Sequence, residues 1–182
     1  MTIRSMFIGF LVLALSGCAR VDVRQYEGNT PKFDLYQYFI GSTTGWGIVL
    51  ARSGKLTRQF VVKIDGRVDD EGNLIMEEDF DWSDGERSKR IWQISKEGHH
   101  SYVGRAGDVI DLAQGVSYGN VLSWNYVLAL ENDGSTWHID FDDWMFLQPD
   151  NVLINRTIMS KFGFNVGEVI IVFRKDGEQE GR

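Results

Sequence analysis

Leu74-Ile75-Met76-Glu77-Glu78-Asp79-Phe80-Asp81-Trp82, then Ser83-Asp84-Gly85, then Glu86-Arg87-Ser88-Lys89-Arg90-Ile91-Trp92-Gln93-Ile94 is the stretch that decides the fold. On both arms large apolar side chains return at every second position, the period of a β-strand with one covered face. Gly85 suits the left-handed position that closes a three-residue hairpin loop. That loop sets Trp82 opposite Glu86, Phe80 opposite Ser88, Glu78 opposite Arg90, Met76 opposite Trp92 and Leu74 opposite Ile94. The shared face is apolar apart from Glu78 and Arg90, so the pattern directs an acid and a guanidinium indoors.

The same alternation runs in both directions from this hairpin. Further strands are expected at Trp46–Arg52, Leu56–Ile64, His100–Ala106, Val121–Glu131, Thr136–Leu147, Val152–Ser160 and Glu168–Phe173. Ser53-Gly54-Lys55, Lys96-Glu97-Gly98, Asp133-Gly134, Gln148-Pro149-Asp150-Asn151 and Asn165-Val166-Gly167 supply short turns, so neighbours should pair antiparallel. The less regular span 107–119 suits a bulge, a short strand or a lid. Frequent Gly (20), scarce Pro (2) and abundant aromatics (6 Trp, 6 Tyr, 11 Phe) fit a β-domain filled by large side chains. The expected fold is all-β: an antiparallel up-and-down meander of about nine to ten strands closing into a barrel, which removes exposed edges. A two-sheet sandwich is the alternative. One short helix should precede the strands, with Thr30 as N-cap, Pro31 at its first position and Gly41 at its end.

Two more hairpins aim side chains inward. A two-residue turn at Asp133-Gly134 places Leu130 opposite Trp137, Leu128 opposite Ile139, Tyr126 opposite Phe141, Trp124 opposite Asp143 and Leu122 opposite Met145. A four-residue loop at Gln148–Asn151 then sets Asp143 opposite Arg156, with Asn155 pointing outward. A three-residue loop at Ser53–Lys55 pairs Arg58 with Leu50, on the face of Phe60, Val62 and Ile64. Arg58, Arg90, Arg156, Glu78 and Asp143 are thus expected inside, among aromatic walls of Trp46, Phe60, Trp92, Trp124, Tyr126 and Phe141. Two readings follow. The charges form interior ion pairs that hold register, or they ring an apolar pocket in which a guanidinium grips an anionic head group.

The N-terminus carries a separate message. Leu15-Ser16-Gly17-Cys18 reads as a bacterial lipobox, preceded by the positive n-region of a signal peptide at Arg4 and its apolar run Met6 to Leu15. The run is shorter than the ~20 residues of a transmembrane helix. Residues 1–17 are expected to leave as a signal peptide, and Cys18 to carry a diacylglyceryl group and a third, palmitate-type acyl chain. Two or three chains make a stable membrane anchor. Residues 18–30 would be a flexible tether, 31–177 the barrel domain and 178–182 a disordered tail. Ala19 lacks the aspartate that retains lipoproteins at the inner membrane, so the periplasmic face of the outer membrane is the expected address.

A formal charge of -7 disfavours nucleic acid, which needs a basic face. Cys18 is the single cysteine, His99 and His100 are adjacent, and His138 should face outward, so no metal site is expected. No phosphate loop, dinucleotide fingerprint or nucleophile elbow occurs. Asp108 and Asp111 flank an apolar pair, and Asp140, Asp142 and Asp143 cluster near Trp144. Paired carboxylates could serve acid–base chemistry on a sugar, but the roughly 7 Å expected between Asp140 and Asp142 on one strand face occurs on any solvated strand. No catalytic residue and no cofactor is assigned, and the chain leans away from an enzyme.

Phe33-Asp34-Leu35, Phe39-Ile40-Gly41, Trp46-Gly47, Asp84-Gly85-Glu86, Arg90-x-Trp92, Tyr102-x-Gly104-x-Ala106, Asp142-Asp143-Trp144-Met145 and Met159-Ser160-Lys161-Phe162-Gly163 carry a resemblance to the DUF3833 family of bacterial lipoproteins, whose function is uncharacterised. The resemblance covers everything after the tether. It implies a lipid-anchored envelope protein with a lipocalin-like barrel. The leading expectation is a protein that holds a small apolar or amphipathic, lipid-like and anionic ligand. Arg58, Arg90 and Arg156 would meet the head group, Glu78 and Asp143 would orient them, and Trp92, Trp124 and Tyr126 would cover the tail. The alternatives are an assembly lipoprotein with a filled core, or an enzyme on lipid or cell-wall material working through Asp142, Asp143 or Asp108. No protein partner is indicated.

Overall fold

The structure, a computed structural model, describes residues 21–132 and 134–177. The lipobox, Cys18, Asp133 and the tail 178–182 lie outside the described residues. A short helix α1 (Leu35–Phe39) leads into ten strands: β1 (Gly41–Ala51), β2 (Leu56–Val68), β3 (Leu74–Trp82), β4 (Arg87–Lys96), β5 (Ser101–Arg105), β6 (Val109–Tyr118), β7 (Val121–Asn132), β8 (Ser135–Leu147), β9 (Leu153–Lys161) and β10 (Phe164–Lys175). Each pairs antiparallel with its sequence neighbour, and β1 pairs with β10, so the sheet is a closed barrel and not a sandwich. Closure gives every strand two partners and satisfies its backbone groups. No helix among the described residues is long and apolar enough to cross a membrane.

The β3–β4 register runs as the hairpin predicts, with Leu74 opposite Ile94, Met76 opposite Trp92 and Glu78 opposite Arg90. The β7–β8 register agrees as well, from Leu130 opposite Trp137 to Leu122 opposite Met145. In both cases a tight turn and a strict two-residue period act over a few residues of chain.

The β8–β9 register differs by one residue. Asp150 and Asn151 adopt left-handed backbone (φ 59° and 54°), and the Gln148 amide donates to the Val152 carbonyl at 2.8 Å. The connection therefore spans Gln148 to Val152, and Leu147 faces Leu153. Every side chain of β9 is turned over. Asp143 faces Thr157, Asn155 points inward, and Arg156 points out to pair with Glu168 at 2.7 Å. On the first hairpin a bulge at Val49/Leu50 pairs Arg58 with Val49 instead of Leu50, while Arg58 keeps its place on the inner face. The last hairpin turns at Phe162-Gly163, both left-handed, and Asn165 to Gly167 is a bulge within β10, not the turn. Trp46 is 50 % exposed, because Thr43, Gly45 and Gly47 occupy the inward positions of β1. Residues 107–119 hold β6, bulged where Asp111 takes positive φ.

The helix is shorter than its signals suggest. Asp34, not Thr30, is the N-cap, accepting from the Gln37 amide, and Pro31 stands before the helix. α1 closes one end of the barrel. The Tyr36 hydroxyl donates to the Ile94 carbonyl at 2.7 Å and that of Tyr38 to the Asn151 carbonyl at 3.0 Å. Lys96 pairs with Asp34 at 2.6 Å. Gly66 makes this approach possible: a Cβ there would lie 1.9 Å from the Phe39 carbonyl oxygen. The segment Val23–Tyr26 packs at the same end, its Tyr26 carbonyl against Gly119.

Candidate functional site

The barrel holds an interior cavity of about 740 Å³. Its floor is Leu35 and Phe39 of α1, and its walls include Phe60, Trp92, Trp124, Tyr126 and Phe141. At the other end it reaches Glu86, Leu130, Glu131, Trp137 and Val166 at the hairpin tips. Phe162 and Phe164 stand exposed on that lip. Pockets of about 300 to 1,000 Å³ suit small-molecule ligands, and this one falls inside that range.

Large aromatic rings on the inner faces of several strands make the wall. Trp92 meets Trp124 and Tyr126 edge to face, with centroids 5.6 and 5.4 Å apart, and Tyr126 stacks on Phe141 at 5.2 Å. Trp124 fits because Gly115 lies beneath it; a Cβ there would approach its ring to 2.3 Å. Trp92, Trp124 and Tyr126 thus stand where the sequence places them, as does Phe60.

The charged residues are arranged differently from the expected guanidinium cluster. Arg90 faces the cavity, but its Nε and terminal nitrogen donate to Asp108 of the β5–β6 turn, the closest contact being 2.7 Å. Its distance to Glu78, the partner across the hairpin, is 4.0 Å. Arg58 sits at the mouth, 3.9 Å over the Trp82 ring, with one terminal nitrogen bonded to Asp84 and Glu86 at 2.8 Å each. Arg156 is outside. The three arginines therefore do not converge, and each is held by a carboxylate. Asp140 and Asp142 lie on the strand face opposite Asp143, so they do not share the cavity with it.

Beside Arg90, the charged groups that remain indoors are acidic. Glu78 is 9 % and Asp143 4 % exposed, and both line the cavity. Burial pushes the Glu78 carboxyl up to about 7, against the pull of Arg90, with Asp108 and Asp143 adding to the rise. Burial likewise pushes Asp143 to about 7, against hydrogen bonding from Thr157 and Tyr126. Burial then raises the Tyr126 hydroxyl well above its ordinary value, reinforced by Asp143. Arg90 loses solvation too, yet Glu78, Tyr126 and Asp108 more than restore its charge. Asn155 and Thr157, brought inward by the longer β8–β9 loop, complete this pole. Sequence reasoning missed them, and the signal was the pair Asp150-Asn151, two residues tolerant of left-handed backbone.

These raised acids make stability depend on pH. The folded protein keeps Glu78 and Asp143 protonated between roughly pH 4 and 7, where the unfolded chain has released those protons. Their contribution is present at low pH and is lost as pH rises through about 7. The urea midpoint should fall from pH 5 to pH 8, and Asp143→Asn should flatten that fall. A midpoint that rises over this range would contradict the burial of the two acids.

The DUF3833 family model, described as a protein of unknown function, matches residues 12–175. This chain belongs to the DUF3833 family. Searching curated proteins finds no sequence match. Two solved structures share the fold of this DUF3833 barrel. An S-type phycobiliprotein lyase from Guillardia theta is 10 % identical, with a TM-score of 0.59 over 87 % of this chain and 100 % of its own. A DUF3598-family protein from Nostoc punctiforme is 14 % identical, with a TM-score of 0.57 over 80 % of this chain and 50 % of its own. The DUF3833 chain thus corresponds to about half the length of the latter. At such identities the likeness establishes a lipocalin-like barrel and no shared chemistry.

Proposed function

We propose that this DUF3833 protein binds a small apolar or amphipathic, lipid-like ligand inside its barrel. One observation carries the reading: an aromatic-walled cavity of about 740 Å³, plugged by α1 at one end and reaching the hairpin tips at the other. A filled core would leave no such space, which favours ligand binding over a purely architectural role. The likeness in fold to an S-type phycobiliprotein lyase is consistent with a ligand-holding interior.

Lipidation at Cys18 and residence on the periplasmic face of the outer membrane form part of the same proposal. They rest on the lipobox and on Ala19. Val23–Tyr26 packs at the plugged end, so an anchor shortly before it would hold that end towards the bilayer and turn the mouth away. Cys18→Ser should then abolish acyl labelling and free the protein into the soluble fraction; retention on membranes would refute the anchor.

All strands and α1 follow residue 21, so a chain beginning at Ala19 retains the whole barrel. Titration of that protein with a fluorescent fatty-acyl probe should give saturable binding and quench Trp92 and Trp124. A folded protein that binds no member of a lipid panel would overturn the proposal.

A further inference from the structure

The inner wall leaves two buried acceptor oxygens open. Asp143 Oδ1 and Asn155 Oδ1 are buried, each residue being 4 % exposed, and neither oxygen has a hydrogen-bond partner among the described residues. An unmet buried acceptor of this kind is costly, and native proteins rarely leave one without a purpose. Glu78 faces the same space from β3. Among the described residues the one guanidinium deep in the cavity, that of Arg90, is committed to Asp108 and Glu78. Three carboxyls, Glu78, Asp108 and Asp143, therefore surround one cation, and once Glu78 and Asp143 ionise, above about pH 7, a ligand anion would add a fourth negative group. Arg58 has an unpartnered Nε, but it lies at the mouth with Asp84 and Glu86 already on its terminal nitrogen.

We infer that the polar end of the bound ligand is an uncharged or cationic hydrogen-bond donor, a hydroxyl or an ammonium group, received by Asp143, Asn155 and Glu78. This rests on the ligand-binding reading above and specifies the chemistry of the same site. The hydrocarbon part would lie against Trp92, Trp124 and Phe141, and the donor would meet the acceptors that the fold leaves open. A carboxylate in the same position would offer two more acceptors and a repelling charge.

The test uses the chain beginning at Ala19 and three ligands with one saturated chain: a fatty amine, a fatty alcohol and a fatty acid. Each competes with the fluorescent probe below its aggregation concentration at pH 7.5. The amine and alcohol should displace the probe at concentrations about tenfold lower than the acid. Asp143→Asn should shrink the amine-to-acid preference, and Glu78→Gln should act in the same direction. Because the readout is a ratio, a variant that merely weakens the fold lowers all three affinities and leaves the preference unchanged; that result, with the wild-type preference intact, would relieve the two acids of the role. An acid that competes as well as the amine overturns the inference and leaves ligand binding standing. If none of the three competes and no probe binds, ligand binding itself falls, and the inference with it.

Discussion

Arg90→Met should destabilise the barrel by about 3 to 5 kcal/mol, the scale for removing one member of a buried charge group. The guanidinium is the hub of the inner charges. It donates three hydrogen bonds' worth of contact to Asp108 and stands 4.0 Å from Glu78, with 19 % of its side chain exposed. Methionine would fill similar space and leave both carboxyls without their cation. Glu78 can answer by holding a proton, since burial already brings it to about 7. The loss should therefore be larger at pH 8 than at pH 5. Urea unfolding of wild type and variant at both values measures it. A penalty below about 1 kcal/mol at pH 8 would mean the charges are solvated and the interior is not a low-dielectric space.

Phe39→Ala should cost about 3 to 5 kcal/mol for loss of a buried aromatic ring. Phe39 is 1 % exposed and packs edge to face on Tyr38 and Phe173, at 4.9 and 5.8 Å. It is also the floor of the cavity. Its truncation would extend the cavity towards the plugged end, so bound probe should dissociate faster than from wild type. Thermal unfolding gives the first quantity and stopped-flow displacement the second. A barrel that keeps its stability and its release rate would show that α1 is not the plug.

How far the site is legible in the sequence depends on the distance over which each feature is decided. Glu78 and Asp143 are placed indoors by their own hairpins, because Gly85 and Gly134 pin register within a few residues. Arg58 keeps its inward face even though a bulge changes its partner. Arg156 does not, because the β8–β9 connection has one more residue than its turn chemistry suggests, and a one-residue slip reverses a strand. Asp108 is a different case. Nothing near Arg90 in the chain announces it, since the β5–β6 turn reaches Arg90 only once the barrel has curved. Trp46 follows the same logic, its alternation being right in period while the glycines beside it take the interior.

Local chain chemistry thus settles that this protein is an antiparallel meander with a short leading helix, and it settles which acids look inward on two hairpins. Period and turn geometry act between residues close in sequence, so they can be read without coordinates. Closure of β1 on β10, the plug set by Gly66 and Phe39, the pairing of Arg90 with Asp108 and the open acceptors of Asp143 and Asn155 were decided only by the folded barrel. Each depends on where distant strands come to rest, and that is fixed by the packing of the whole sheet.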